Sequence, residues 1–332
     1  MEELKNNCMK GKKVLLLYAR FFGYDVIVKN KLEALGAKVD LYDARANINT
    51  VEKAIKKVDS RFYYKKQRKF HKNIIEKTKY NQYDFIFSNE NIAKETLLDY
   101  KRVFPDATLV LYLDDSVANM KGVNENFKYY DRVLTFDRKD AQDYGVLFRP
   151  LFFCDIFREL NDKHILEKND ICFVGTCHSD RLSIIDKIMT RYPKFNYFFY
   201  CYLQSWFMYY YYRFRDPEYK TKDKNFFAYD QMSMTEVAQK MAEARAILDI
   251  QHPKQTGLTM RTIETLGLGK KIITTNKDIR YYDYYDPCNV LVIDRVNPVI
   301  DESFINSSYK PIDADLYHKY SIEGWIEEVF VK

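Results

Sequence analysis

Hydrophobic positions in the first half of the chain alternate between two patterns. Short, mostly apolar runs occupy residues 14–18, 39–42, 84–87 and 109–113, and the apolar positions of residues 25–35 recur at helical spacing between the first two. Runs without polar alternation suit strands buried on both faces, and helices between them predict a parallel sheet covered on both sides. Two further runs, 132–136 and 147–153, close this half, with Pro150 near the sheet edge.

A polar stretch at residues 159–170, ELNDKHILEKND, reads as a linker, and the apolar run 171–174 opens a second round of alternation. There the pattern predicts a helix over 180–192, a strand over 195–202, a helix over 234–245, strands over 271–275 and 290–293, and a closing helix over 316–330. The chain of 332 residues suits two cores of ordinary size, and no repeat of 20 to 50 residues is visible. The expected fold class is α/β, with two doubly wound, Rossmann-like domains, 1–160 and 161–332, facing each other across a cleft. The closing helix either ends the second domain or packs back on the first. In such sheets ligands sit at the C-terminal strand ends.

The segment 248–276, LDIQHPKQTGLTMRTIETLGLGKKIITTN, reads as strand, glycine turn, helix and second strand. After the apolar run 246–250, Gly257 lets the chain turn, and the N–H groups of Leu258, Thr259 and Met260 would open a helix whose unpaired donors favour a phosphate. Arg261 could then meet a diphosphate with its planar guanidinium. Glu264, three residues further on the same helix face, could accept from two ribose hydroxyls. The competing reading is an ordinary surface ion pair between Arg261 and Glu264.

Composition narrows the picture. With 47% hydrophobic and 16% aromatic residues the chain is not expected to be disordered, and no window is long and apolar enough to span a membrane. The start, MEELKNNCMKGKK, has no apolar stretch of the secretory kind, so a cytoplasmic location is expected. Six cysteines, at 8, 154, 172, 177, 201 and 288, show neither a disulfide framework nor zinc spacing. The net charge of +6 is uneven: residues 1–79 hold 20 Lys and Arg against 9 Asp and Glu, a local +11. Residues 53–79 carry eleven of those basic residues, with Ile55, Val58, Phe62, Phe70 and Ile74 near helical spacing. Such a surface suits an anionic membrane, contacted from the inner face, or is a lysine-rich helix with a core side.

Several segments match one known group in order along the chain. QTGLTMRTIETLGLGKKIITTN resembles the donor site of bacterial GT-B glycosyltransferases of the capsular and surface-polysaccharide, spore-maturation-like group. KKVLLLYARFFGYD is similar to that group's first strand and loop, LVLYLDDS to its strand ending in an aspartate-rich loop, and ICFVGTCHSDR to the start of its second domain. The resemblance implies a metal-independent glycosyltransferase that needs no cofactor beyond a nucleotide-sugar co-substrate, with a glycan or lipid-linked acceptor. It implies Glu264 on the ribose, Arg261 and Thr259 on the diphosphate, and Gly175 and Thr176 approaching the donor from the other side. One departure stands out: Thr256 occupies the place of the first of two glutamates in the longer pattern.

Acceptor activation needs a carboxylate within reach of a hydroxyl. Asp114 and Asp115 end an apolar strand, and Asp115 is the position matched by the resemblance; Asp25, after Phe22, Gly23 and Tyr24, is the second candidate and otherwise a helix cap. Asp137 and Arg138 are cleft lining or a cap, and His178 and His252 stand at expected strand ends. The block 195–214, FNYFFYCYLQSWFMYYYYRF, is dense in rings and suits a membrane interface, a sugar-stacking wall or a subunit contact, including a homo-oligomer. Two rivals remain: a nucleotide-sugar epimerase of the same fold and a non-catalytic nucleotide-sugar-binding scaffold. Nucleic acid is not expected as a partner.

Overall fold

The computed structural model describes residues 7–47, 60–163, 165–253 and 256–331. The chain forms two compact units, one of residues 1–150 together with 322–332, the other of residues 151–321.

The first unit holds a six-stranded parallel sheet in the order β2-β1-β3-β4-β5-β6, from β1 (Lys13–Leu17), β2 (Lys38–Tyr42), β3 (Phe85–Ser88), β4 (Thr108–Leu113), β5 (Arg132–Thr135) and β6 (Leu147–Phe148). Strand β1 is apolar throughout after Lys13 because both its faces are covered. Leu15 and Leu17 join a cluster with Ile74, Ile86, Tyr100 and Leu109. Over the sheet lie the rings of Trp325 and Phe330, packed edge-on against Tyr112, Phe87 and Phe85. Helices α1 (Tyr24–Ala34), α2 (Ser60–Thr78), α3 (Lys94–Val103) and α4 (Arg138–Tyr144) complete the unit. The cap of α1 is Gly23, in left-handed conformation at φ 79°, rather than Asp25. The described part of the basic segment is α2, which buries Gln67, His71, Ile74 and Ile75; Ile55 and Val58 lie outside the described residues, as does the side chain of Phe62.

The second unit holds another six-stranded parallel sheet, ordered β12-β11-β10-β7-β8-β9, built from β7 (Asn169–Thr176), β8 (Tyr197–Tyr202), β9 (Phe227–Ala228), β10 (Ala244–Asp249), β11 (Lys271–Thr274) and β12 (Val290–Val292). Its helices are α5 (Asp155–Asp162), α6 (Arg181–Arg191), α7 (Trp206–Arg215), α8 (Met234–Ala242), α9 (Met260–Gly267), α10 (Glu302–Asn306) and α11 (Ala314–Tyr320). Renumbered within the unit, the strand order is 3-2-1-4-5-6 read from the β9 edge, the doubly wound arrangement with its reversal between β7 and β10.

Three expectations change. The run 147–153 joins the sheet only at Leu147–Phe148, because Pro150 has no N–H to donate and the chain then enters the second unit, where Phe153 makes an isolated parallel bridge to Ser321. The stretch expected as a linker begins inside α5, where Phe157 and Leu160, three residues apart, are buried on one face. The single closing helix is interrupted at Ser321, whose N–H and hydroxyl both reach the carbonyl of His318. After it, α12 (Ile322–Ile326) and a π-helical turn, Glu327–Val331, belong to the first unit. Salt bridges Lys31–Glu323 at 2.8 Å and Arg149–Glu328 at 2.5 Å fasten them there.

Candidate functional site

In the second unit the strand order reverses between β7 and β10, so the carboxyl ends of these strands open a crevice. Gly175 and Thr176 end β7, and Asp249 ends β10. Arg181 ties the two ends together: its Nε donates to the carbonyl of Ile250 at 2.7 Å and its Nη1 to that of Thr176 at 2.8 Å. Arg295 adds a second tie, with Nη1 2.7 Å from both Asp180 oxygens and Nη2 donating to the carbonyl of Gln251 at 2.5 Å. A Cβ at Gly175 would stand 3.2 Å from the ring of Phe173, so the backbone here accepts no added bulk without a shift of that ring.

Helix α9 opens beside this crevice. Thr259 is its N-cap and accepts from the N–H of Thr262 at 3.2 Å, so the helix starts at Met260, later than the glycine turn suggests. The free donors of the first turn are therefore the N–H groups of Met260 and Arg261 rather than those of Leu258 and Thr259. The Thr259 hydroxyl is already engaged, donating to Asp249 at 3.0 Å, while Thr262 donates to the other Asp249 oxygen at 2.7 Å. Thr259 thus builds the helix end instead of offering a hydroxyl to phosphate. Buried Gly257 and Leu258 lead into the cap, and Asn276 holds this approach by donating to the carbonyl of Thr256 at 3.1 Å.

Arg261 and Glu264 meet directly, Nη1 to Oε2 at 2.6 Å, and Glu264 is only 5% exposed. A pair this enclosed differs from the solvated surface pair considered from the sequence. The Nε of Arg261 is buried and has no hydrogen-bond partner among the described residues. A donor left so at a helix N-terminus is suited to an anion. Nearby, the rings of His178 and His252 lie 6.0 Å apart. Burial, the Arg181 guanidinium and His252 push His178 down to about 4, so its ring is neutral at physiological pH. The turn carrying it includes Ser179 at φ 56°, a left-handed conformation unusual for a residue with a side chain.

The first unit has its own reversal, between β1 and β3. There Asn89, just past β3, accepts from the N–H of Ala19 at 2.8 Å and donates to Asp114 at 2.8 Å. Burial raises Asp114 to about 6, against the lowering effect of that bond, with Glu90 and Asp115 adding like charge. Asp115 is exposed and accepts from the N–H of Ser116 and from the Asn119 amide, while the short turn Val117–Asn119 begins at Ser116 and its first N–H is taken by Asp140 at 2.8 Å. Asp25 is buried in the first turn of α1. Asp137 caps α4, accepting from the N–H groups of Lys139 and Asp140.

Neither a protein-family model nor a curated protein sequence matches the chain. Solved structures do. Anabaena HepE in complex with UDP-glucose has a TM-score of 0.57 at 10% identity, over 96% of this chain and 98% of that one. A glycosyltransferase from Rickettsia africae gives 0.55 at 15%, over 97% and 94%. The UDP-GlcNAc 2-epimerase of Methanocaldococcus jannaschii gives 0.50 at 11%, over 97% and 100%. The fold is GT-B. Within that fold, Gly175, Thr176, Gly257, Leu258, Thr259, Arg261 and Glu264 gather at the β7 and β10 ends of the second unit, while Asp25, Asp114 and Asp115 lie at the corresponding edge of the first. Arg181, Asp249 and Arg295 of the second edge, and Asn89 of the first, escape sequence reasoning. Arg181 and Asp249 left a trace there only as the last residue of ICFVGTCHSDR and the second of the segment 248–276.

Proposed function

We propose that the chain is a nucleotide-sugar-dependent glycosyltransferase whose donor binds at the β7 and β10 ends of the second unit. The observation that carries this reading is the enclosed Arg261–Glu264 pair in the first turns of α9, with a buried, unpartnered guanidinium N–H beside free helix-end donors. A diphosphate would take the N–H groups of Met260 and Arg261 and draw the guanidinium from Glu264, whose freed carboxylate would accept the ribose hydroxyls. The same groups would stabilise the departing nucleoside diphosphate without a metal ion. Gly175 and Thr176 would close the opposite side.

The acceptor is assigned to the C-terminal edge of the first unit's sheet, and its class, a surface-polysaccharide or lipid-linked glycan, rests on the sequence resemblance. Asp114 is the better base than Asp115, since a raised, half-buried carboxyl suits proton abstraction while the exposed Asp115 accepts from Ser116 and Asn119. Asp25 remains a second acid for that edge. The similarity in fold to a UDP-GlcNAc 2-epimerase supports one alternative. Incubation with UDP-, GDP-, CMP- and dTDP-sugars separates the readings. Nucleoside diphosphate released in proportion to added glycan acceptor supports the transferase, an epimerised sugar without acceptor supports the epimerase, and binding without turnover marks a scaffold.

A further inference from the structure

Helix α7 turns to solvent a face that neither strand-end site uses. Trp206, Phe207, Tyr210, Tyr211 and Phe214 follow i, i+1, i+4, i+5, i+8 and so form one stripe, with Trp206 65% and Phe214 89% exposed. The opposite face is locked in place. Tyr209 packs against Phe227 and donates to the carbonyl of Lys222 at 3.0 Å, and Tyr212 stacks on Tyr219 at 5.0 Å. Rings on this stripe are therefore held outward by a fixed helix. A cationic group sits among them, Arg215 over the Tyr211 ring at 5.4 Å, and Lys220 and Lys224 are exposed on the turns that follow the helix. Of the nearby acids, Asp216 and Asp223 cap the turns Pro217–Thr221 and Lys224–Phe226.

We propose that this face docks on the headgroup layer of an anionic phospholipid bilayer. Rings with an apolar body and a polar tip match that layer, and the three basic groups supply attraction to anionic lipid. A second copy of the chain fits the area poorly. A ten-residue helix is about 15 Å long, and one stripe of it falls well short of the roughly 800 Å² per partner of a stable interface.

The test is flotation of the full chain with vesicles of phosphatidylcholine alone or mixed with phosphatidylglycerol, read together with tryptophan emission. Trp325 is fully buried, so a change reports Trp206. The proposal expects binding to the mixed vesicles with a blue-shifted emission. The double variant Phe207→Ser/Phe214→Ser should bind at least about tenfold more weakly, with unchanged circular dichroism and nucleotide affinity. Arg215→Gln/Lys220→Gln/Lys224→Gln should lose the preference for phosphatidylglycerol. Absence of binding, binding without a blue shift, wild-type binding by the variants, or a solution dimer that Phe214→Ser dissolves would each overturn it.

Discussion

Replacing Asp249 tests whether the end of β10 sets the geometry of the nucleotide site. Its carboxylate is 3% exposed and receives two hydroxyl protons, from Thr259 at 3.0 Å and Thr262 at 2.7 Å, which hold the first turn of α9 to the strand. Hydrogen bonds to a charged group are worth about 1.5–3 kcal/mol each. Asp249→Asn keeps one acceptor and should cost about 1–2 kcal/mol, while Asp249→Ala strands the buried Thr262 hydroxyl and should cost about 3–4 kcal/mol. At about 2–4 °C per kcal/mol for a unit of this size, the alanine variant should lower the unfolding midpoint by about 6–16 °C. Because the same bonds position the N–H groups of Met260 and Arg261, Asp249→Asn should also weaken nucleotide binding by at least about tenfold, although it touches no ligand atom. Differential scanning fluorimetry gives the first number and calorimetric titration the second. A cycle with Thr262→Val should show coupling, since both changes remove one bond. Wild-type melting, wild-type affinity or strict additivity would refute the reasoning.

Other outcomes follow from the same geometry. With Asp114 as base, turnover should rise through pH of about 6, and Asn89→Ala should move that limb upward because it removes a donor that favours the charged carboxylate; a pH–rate profile decides. His71 is buried in the first unit, where Nε2 accepting from the Gln67 amide and Nδ1–H donating to the Tyr100 hydroxyl satisfy a neutral ring. Burial lowers it to about 4 from its ordinary 6.5, so the unfolded chain binds the extra proton between these values. Stability is then full above about pH 6.5 and should fall by about 3 kcal/mol as pH drops toward 4, and His71→Gln should flatten that dependence in urea titrations. Gly267→Ala would place its Cβ 2.5 Å from the Cγ of Phe153, a buried ring attached too near its backbone to swing aside. A loss of about 1–3 kcal/mol, measured by chemical unfolding, is expected.

The sheets were legible in the sequence because parallel strands covered on both faces carry unbroken apolar stretches, nearly the whole of β1 and β4 and the middles of β7 and β10. Where apolar content comes from something other than a strand, the pattern misleads: Leu151, Phe152 and Phe153 are apolar because they enter the second unit's core, and Ile322, Trp325, Ile326, Val329 and Phe330 because they cover the first unit's sheet. Arg261 and Glu264 could be paired from helical spacing alone. Whether their pair is enclosed could not, since burial of Glu264 depends on the sheet beneath α9. Asp249, Arg295 and Asn89 act across long sequence separations and carry no local pattern. Between Asp114 and Asp115 the alternation of a strand says only that they diverge; the Asn89 side chain, delivered by the neighbouring strand, shows which one is held half-buried.

The central claim is that the Arg261–Glu264 end of α9 holds a nucleotide sugar. Calorimetric titration of the wild type and Glu264→Gln with UDP-, GDP-, CMP- and dTDP-sugars tests it most directly. One nucleotide should bind the wild type, and the variant, folded by circular dichroism, should bind it about 10–100-fold more weakly through loss of charged acceptors for the ribose. If no nucleotide binds, or if Glu264→Gln binds as the wild type does, the donor site lies elsewhere.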